Sequence, residues 1–276
     1  MNQLKIGDFE INYIYEDQFD NRPLVLFLHG FDDSLRTFTR LFNAKEYRSA
    51  AIDFPGCSKS ISHKSDIKIE DFQHVALSFV DTVLKDEKQI YLVSHSLGSA
   101  SALYCLKNSL KVKHAILLSP FNFLLVDSFL NYENLKKWLL PNNLEEAKES
   151  YINLFYKIPQ ASQNNLEKIA SNILNRQPLR RKYFAKMVNE EILNEFYLHS
   201  YIREFFNQNR YTIITGLNDN YVTLDSLENI QQNYFDIPIV CIPNAGHALV
   251  YEAEDIVKNS IIKIINDTNK DVYEKI

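Results

Sequence analysis

The segment Ile90 to Ser99 reads IYLVSHSLGS: an apolar run enters Ser94-His95-Ser96-Leu97-Gly98 and continues into a helical pattern. A serine between small residues at a strand-to-helix turn meets the needs of a nucleophile elbow. Ser94 and Gly98 leave room for a sharply bent backbone, and the bend lifts the Ser96 hydroxyl clear of the sheet. The helix that follows offers backbone N–H groups and the positive end of its dipole to a developing oxyanion. S-x-S-x-G is a degenerate pattern, and alone it serves a helix N-cap as well as a nucleophile. Other segments add weight. His29-Gly30-Phe31 follows the apolar run Leu24 to Leu28, where Gly30 lets the chain turn and aims the Phe31 N–H into the same cleft. That N–H is a second oxyanion donor beside the N–H of Leu97, while the His29 side chain reads as a loop histidine satisfied by backbone. Asp219 follows the run Tyr211 to Thr215, and His247 follows the run Ile237 to Ile242. Asp219 is open to a plain turn role and His247 to a place beside a helix start. A serine, an acid and a base, each just past an apolar run, point together to acyl transfer. His247 takes the Ser96 proton, Asp219 fixes the imidazole, and water releases the acyl group.

Such residues must be carried by strands that end on one rim. Phe9 to Tyr15 alternates apolar and polar after a Gly7-Asp8 turn, as an antiparallel edge strand does. Leu24 to Leu28, Ser49 to Phe54, Ile90 to Val93, Ala115 to Leu118, Tyr211 to Thr215 and Ile237 to Ile242 are nearly all apolar, which suits strands buried on both faces of a parallel sheet. Helical patterns lie between them at Ser34 to Phe42, Ile69 to Lys85, Leu97 to Leu110, Thr223 to Tyr234 and Ala253 to Asn266. The alternation predicts an α/β fold with a doubly wound, mostly parallel sheet, whose ligands bind at the carboxyl ends of the strands. Phe121 to Gln208 carries helical patterns without a convincing strand, punctuated at Pro141-Asn142-Asn143, Pro159, Gln163-Asn164-Asn165 and Gln177-Pro178. It reads as an all-helical insertion, residues 121–208, on a core of residues 1–120 and 209–276.

Composition narrows the classes. With 276 residues, 46% of them apolar and 24% charged, the chain is globular and large enough to fold without disulfide or metal. A net charge of −5 argues against a nucleic-acid partner. Cys57, Cys105 and Cys241 are far apart and odd in number, which fits a reducing compartment. The first residues carry Asp8 and Glu10 and lack the apolar core of a signal peptide, and the most apolar stretch, His114 to Val126, is too short to span a bilayer. A cytoplasmic protein is expected. None of the histidines has ligand spacing such as H-x-x-x-H and no cofactor motif is seen, so neither metal nor cofactor is expected.

These residues resemble the α/β-hydrolase superfamily over almost the whole chain. His29-Gly30-Phe31 looks like its oxyanion loop, Asp53-Phe54-Pro55-Gly56 like its D-x-P-G turn, and Ser94 to Ser99 like its GHSxGG elbow with serine for the first and last glycines. Gly216-x-x-Asp219 and Gly246-His247 match its acid and base loops, and the helical insertion sits where the family carries a cap. The resemblance implies the chain order Ser96, Asp219, His247 for the triad, with Phe31 and Leu97 as oxyanion donors. Ser96 disfavours the aspartate-nucleophile branches, Leu97 the proline iminopeptidases with tryptophan there, and His95 the carbon–carbon hydrolases with asparagine there.

An esterase of small or medium uncharged acyl substrates is the leading expectation, with a small-molecule ester as partner. A peptidase, thioesterase or acyltransferase with the same triad, or a non-catalytic binding protein, stay open. Phe121, Phe123, Leu124, Leu125 and Trp138 to Leu140 are available to line a pocket or to dock the insertion. Asp32 and Asp33 read as solvated caps of the next helix, and Arg180-Arg181-Lys182 as a solvated helix face.

Overall fold

The computed structural model describes residues 2–18, 20–42 and 44–273; the remaining positions of the expected core fall outside these. Nine strands form one sheet: β1 Asn2–Ile6, β2 Phe9–Tyr15, β3 Leu24–Leu28, β4 Arg48–Ile52, β5 Ile61–Ser62, β6 Ile90–His95, β7 Val112–Leu118, β8 Tyr211–Gly216 and β9 Ile239–Ile242. Their order is β1-β2-β4-β3-β6-β7-β8-β9, with β5 paired to β2. The pairs β3/β4, β3/β6, β6/β7, β7/β8 and β8/β9 are parallel, while β1, β2 and β5 make the antiparallel end.

The continuous apolar runs become central strands because successive side chains point to opposite faces and both faces are covered. Leu24, Leu26 and Leu28 of β3 join Leu92 and Leu117 in one core. Val25 and Phe27 join Val93, Ile116 and Ile214 in the other. The first core is closed by helices α1 Ile69–Thr82 and α2 Gly98–Asn108, and the second by Val257, Ile261 and Ile265 of the helix Glu254–Tyr273.

Several local readings need correction. β2 is not an edge, since β1 pairs with it in the register Asn2↔Tyr13 to Ile6↔Phe9. β9 begins at Ile239 and forms the edge opposite β1, with Val240 and Cys241 exposed. Ser34 to Phe42 forms only a short 3-10 turn, Leu35–Phe38. Thr37, Phe38 and Thr39 are β-branched or aromatic and are poor helix formers, and the Asp53 carboxylate holds the turn by accepting from Leu35 N at 2.8 Å.

Between β7 and β8 every described regular element is helical, including α3 Phe129–Leu139, α4 Leu144–Ile152, α5 Gln160–Gln163 and α6 Leu166–Lys186. Asn143 caps α4, its side-chain oxygen accepting from Glu146 N at 2.9 Å. The break expected at Gln177-Pro178 does not occur, because α6 runs through Pro178. Proline removes one ladder bond, but anchors just beyond it hold the helix. Arg181 donates to the Leu140 carbonyl at 2.6 Å, and Arg180 donates to that of Leu139 at 3.3 Å.

Candidate active site

Ser96 stands between β6 and α2 with φ of +50°, a left-handed conformation that a non-glycine residue holds only when its surroundings impose it. They do. Ser96 N donates to the Leu118 carbonyl at 3.0 Å, and the Ser96 carbonyl accepts from Ser99 N at 3.0 Å and Phe121 N at 3.1 Å. The serine in place of the usual last glycine adds to this lock, its hydroxyl reaching the carbonyls of Ser96 at 2.8 Å and Phe121 at 3.0 Å. Gly98 cannot be replaced so simply, for a Cβ there would lie 2.4 Å from the Leu28 carbonyl oxygen. The end of β3 is thereby packed directly under the elbow.

The loop after β3 passes over Ser96. His29 is fully buried, and its Nε2 accepts from Phe54 N at 2.9 Å. Nδ1 therefore carries the proton and donates to the Gly30 carbonyl at 2.8 Å. In a trans peptide C=O and N–H point in opposite directions, so pinning the Gly30 carbonyl turns the Phe31 N–H the other way. The backbone-satisfied reading of His29 holds, and the side chain also sets the orientation of the next peptide. Among the described residues neither Phe31 N–H nor Leu97 N–H donates to a protein acceptor.

His247 lies on the same rim, in the loop after β9. Its Nδ1 is 2.9 Å from Asp219 Oδ2 and 3.1 Å from Oδ1. Asp219 Oδ1 also accepts from Tyr221 N at 2.8 Å and Val222 N at 2.9 Å. Both side chains are buried. Gly216 lets their two loops meet, since a Cβ there would lie 2.3 Å from the Ala245 carbonyl oxygen, which accepts from Asn218 N at 2.9 Å. Two rings pack against the imidazole, that of Tyr221 stacked at 4.9 Å and that of His95 tilted at 4.7 Å. His95 Nε2 reaches the His247 carbonyl at 2.9 Å. Burial, aided by the neighbouring His247, pushes the His95 imidazole down to about 4, so this neighbour stays neutral. No sequence signal marked Tyr221 or His95 for this part.

Ser96 and His247 open on one cavity of about 680 Å³. Among the described residues no hydrogen bond joins the Ser96 hydroxyl to the imidazole; such bonds commonly tighten only with substrate in place. Trp138 and Leu139 of α3 line this cavity, whereas Phe121 and Leu125 line a smaller niche beside Ser96. Phe123 instead packs its ring against Phe206 and Tyr234.

Asp32 corrects the solvated-cap reading. Its carboxylate is buried and accepts from Arg176 at 2.9 Å and Arg180 at 2.6 Å. Arg180 also lies 5.8 Å from the Phe31 ring centre. Arg180, the first residue of the basic run on α6, thus clamps the loop over Ser96 together with Arg176, and only the charge, not the partner, was visible in the sequence. Asp33 is half-buried and accepts from the Thr37 hydroxyl at 2.6 Å. Cys57 and Cys105 are buried and Cys241 is exposed, all as free thiols. Burial raises the Cys57 thiol well above the usual range. Among the described residues no cluster of His, Cys, Asp and Glu is placed to hold a metal, and no helix is long and apolar enough to cross a membrane.

Comparison with known proteins bears on the frame that holds these residues. No curated protein matches the sequence. Among solved structures, a lipase candidate from Acinetobacter baumannii AYE is 19% identical, with a TM-score of 0.77 over 98% of this chain and 92% of that one. A membrane phospholipase A described as a bacterial virulence factor is 15% identical, with a TM-score of 0.78 over 97% and 86%. A serine hydrolase from the polyaromatic hydrocarbon-degrading bacterium Cycloclasticus zankles is 14% identical, with a TM-score of 0.74 over 96% and 97%. At these identities the likeness is one of fold. The model of the alpha/beta hydrolase family matches residues 25–258, from β3 into the last helix, and with that the chain belongs to the alpha/beta hydrolase family.

Proposed function

We propose that the protein is a serine hydrolase that cleaves carboxylic esters of small or medium uncharged acyl groups through an acyl-enzyme on Ser96. The observation that carries this reading is the buried His247–Asp219 contact of 2.9 Å on the rim of the cavity that Ser96 enters. His247 Nε2 takes the Ser96 proton as Oγ attacks the ester carbon, and Asp219 keeps the opposite nitrogen protonated. The N–H groups of Phe31 and Leu97 hold the oxyanion. The proton then passes to the departing alcohol, and water activated by His247 releases the acid. Residues 121–208 act as a cap over a core of residues 1–120 and 209–276, and α3 and α6 supply part of the cavity wall. The lipase and serine hydrolase descriptions of the structural neighbours agree with this chemistry.

The test is labelling by an organophosphonate, located by mass spectrometry, with turnover of p-nitrophenyl acetate. Stoichiometric labelling at Ser96 and loss of turnover in Ser96→Ala are expected. Turnover confined to thioesters or aminoacyl amides would move the assignment to a thioesterase or peptidase. No label and no turnover would leave a binding protein on a hydrolase fold.

A further inference from the structure

The space around Ser96 is divided unequally. The smaller of two spaces that Ser96 borders is the niche of about 30 Å³, with Phe31, Leu97, Phe121, Leu125, Leu135 and Ile192 in its wall. That is room for roughly two or three water-sized groups. The larger is the cavity of about 680 Å³, which is lined by His247 and the polar groups of Asp33, Thr37, Ser150, Ser162 and Arg176. Ser96, Phe31, Leu139 and Tyr221 border both spaces, whereas His247 borders only the larger one.

This asymmetry has a chemical direction. When Ser96 Oγ bonds to the ester carbon, the carbon carries Oγ, the oxyanion, the alkoxy oxygen and the acyl chain. The oxyanion faces the N–H donors of Phe31 and Leu97. The alkoxy oxygen must receive the proton held on His247 Nε2 before its bond to carbon breaks, so the alcohol extends on the His247 side. The acyl chain has the remaining direction, into the apolar niche. We infer that the substrates are esters of a short acyl group, of about two to four carbons, with a bulky alcohol that carries polar groups. This rests on the esterase reading above and adds which arm of the ester is long.

Two isomeric esters test it without altering the protein. 2-Phenylethyl acetate and methyl 3-phenylpropanoate have the same atoms with the ester reversed, so they differ in which arm is bulky. The acetate is expected to have a kcat/KM at least 30-fold higher. A p-nitrophenyl ladder gives a second readout: kcat/KM is expected to fall at least 30-fold from propanoate to octanoate. Leu125→Ala, which opens the niche away from the reacting atoms, is expected to recover about tenfold of the octanoate loss. Equal or better cleavage of the methyl ester, or an octanoate rate matching propanoate, would overturn the assignment. If neither isomer turns over, the ladder decides. No turnover along the ladder and no phosphonate label on Ser96 would instead strike the esterase reading itself.

Discussion

Asp32 Oδ2 lies 2.6 Å from Arg180 Nε, although 148 residues separate the two in sequence. The contact joins the loop that carries Phe31 to helix α6, which forms part of the cavity wall. Asp32 itself holds φ of +45°, so the ion pair secures a backbone conformation that a non-glycine residue adopts at a cost.

Removing one partner should therefore disturb both stability and chemistry. Asp32→Asn leaves Arg180, 14% exposed, facing a neutral amide. The expected loss is about 2–3 kcal/mol, at the low end for a broken buried pair because Arg176 is 55% exposed and keeps its hydration. A shift of the Phe31 N–H should lower kcat/KM roughly tenfold. Urea denaturation of Asp32→Asn, Arg180→Met and the double variant checks it. Strictly additive losses would mean that the contact does not couple loop to helix.

His29 offers a cleaner separation of positioning from binding. Its ring links Phe54 N to the Gly30 carbonyl, and His29→Phe keeps the bulk while removing both bonds. With the Gly30 peptide free to rotate, the Phe31 N–H no longer points in one direction, and kcat should fall about 100-fold. KM should stay within about threefold, since the cavity wall is unchanged. Steady-state kinetics on p-nitrophenyl acetate distinguishes this from a general weakening, in which KM would rise with little change in kcat.

At the acid, Asp219→Asn tests the tautomer argument. The amide oxygen would keep the backbone donors of Tyr221 and Val222, which turns the amide NH2 toward His247 Nδ1. That nitrogen must then accept, and the imidazole proton moves to Nε2, the position that has to receive the Ser96 proton. A drop in kcat of about 10³–10⁴ is expected, with the melting temperature lowered by only a few degrees. A variant with more than a tenth of the parent kcat would remove Asp219 from the proposed mechanism.

How much of this is legible in the sequence depends on the range of the interactions. Ser96 directly follows β6, and Asp219 and His247 lie in the loops that follow β8 and β9; strand ends converge on one rim of a parallel sheet. Their meeting place can be read from local patterns alone. The clamp cannot, because Asp32, Arg176 and Arg180 show only as charges until the fold pairs them. The Tyr221–His247–His95 ring cluster escapes for the same reason: aromatic neighbours carry no spacing rule across loops. Local preference also misleads where tertiary contacts prevail, as at Pro178, where anchors beyond the proline keep α6 continuous. The division into niche and cavity depends on the loops after β3, β6, β7 and β8 together with α3, α4 and α6, so no single segment could announce it.

His95, His114 and Glu191 give stability an opposed pH dependence. Burial lowers His95 to about 4, and burial, then Arg210, lowers His114 to about 4. Between pH 6.5 and 4 the unfolded chain binds protons that these native imidazoles refuse, so their contribution is full above 6.5 and declines as pH falls. Glu191 acts in the other direction, because burial raises its carboxyl to about 7. It binds its proton more readily when folded, so its contribution is full below the ordinary carboxylate range and is lost as pH rises toward 7. His114→Gln should flatten the decline in unfolding free energy from pH 7 to 4.5. Glu191→Gln keeps an acceptor for the Ile69 N–H and should steepen it, by raising stability at pH 7 more than at pH 4.5. Urea midpoints at the two pH values check both variants, and parallel curves for parent and variants would show that neither group titrates differently on folding.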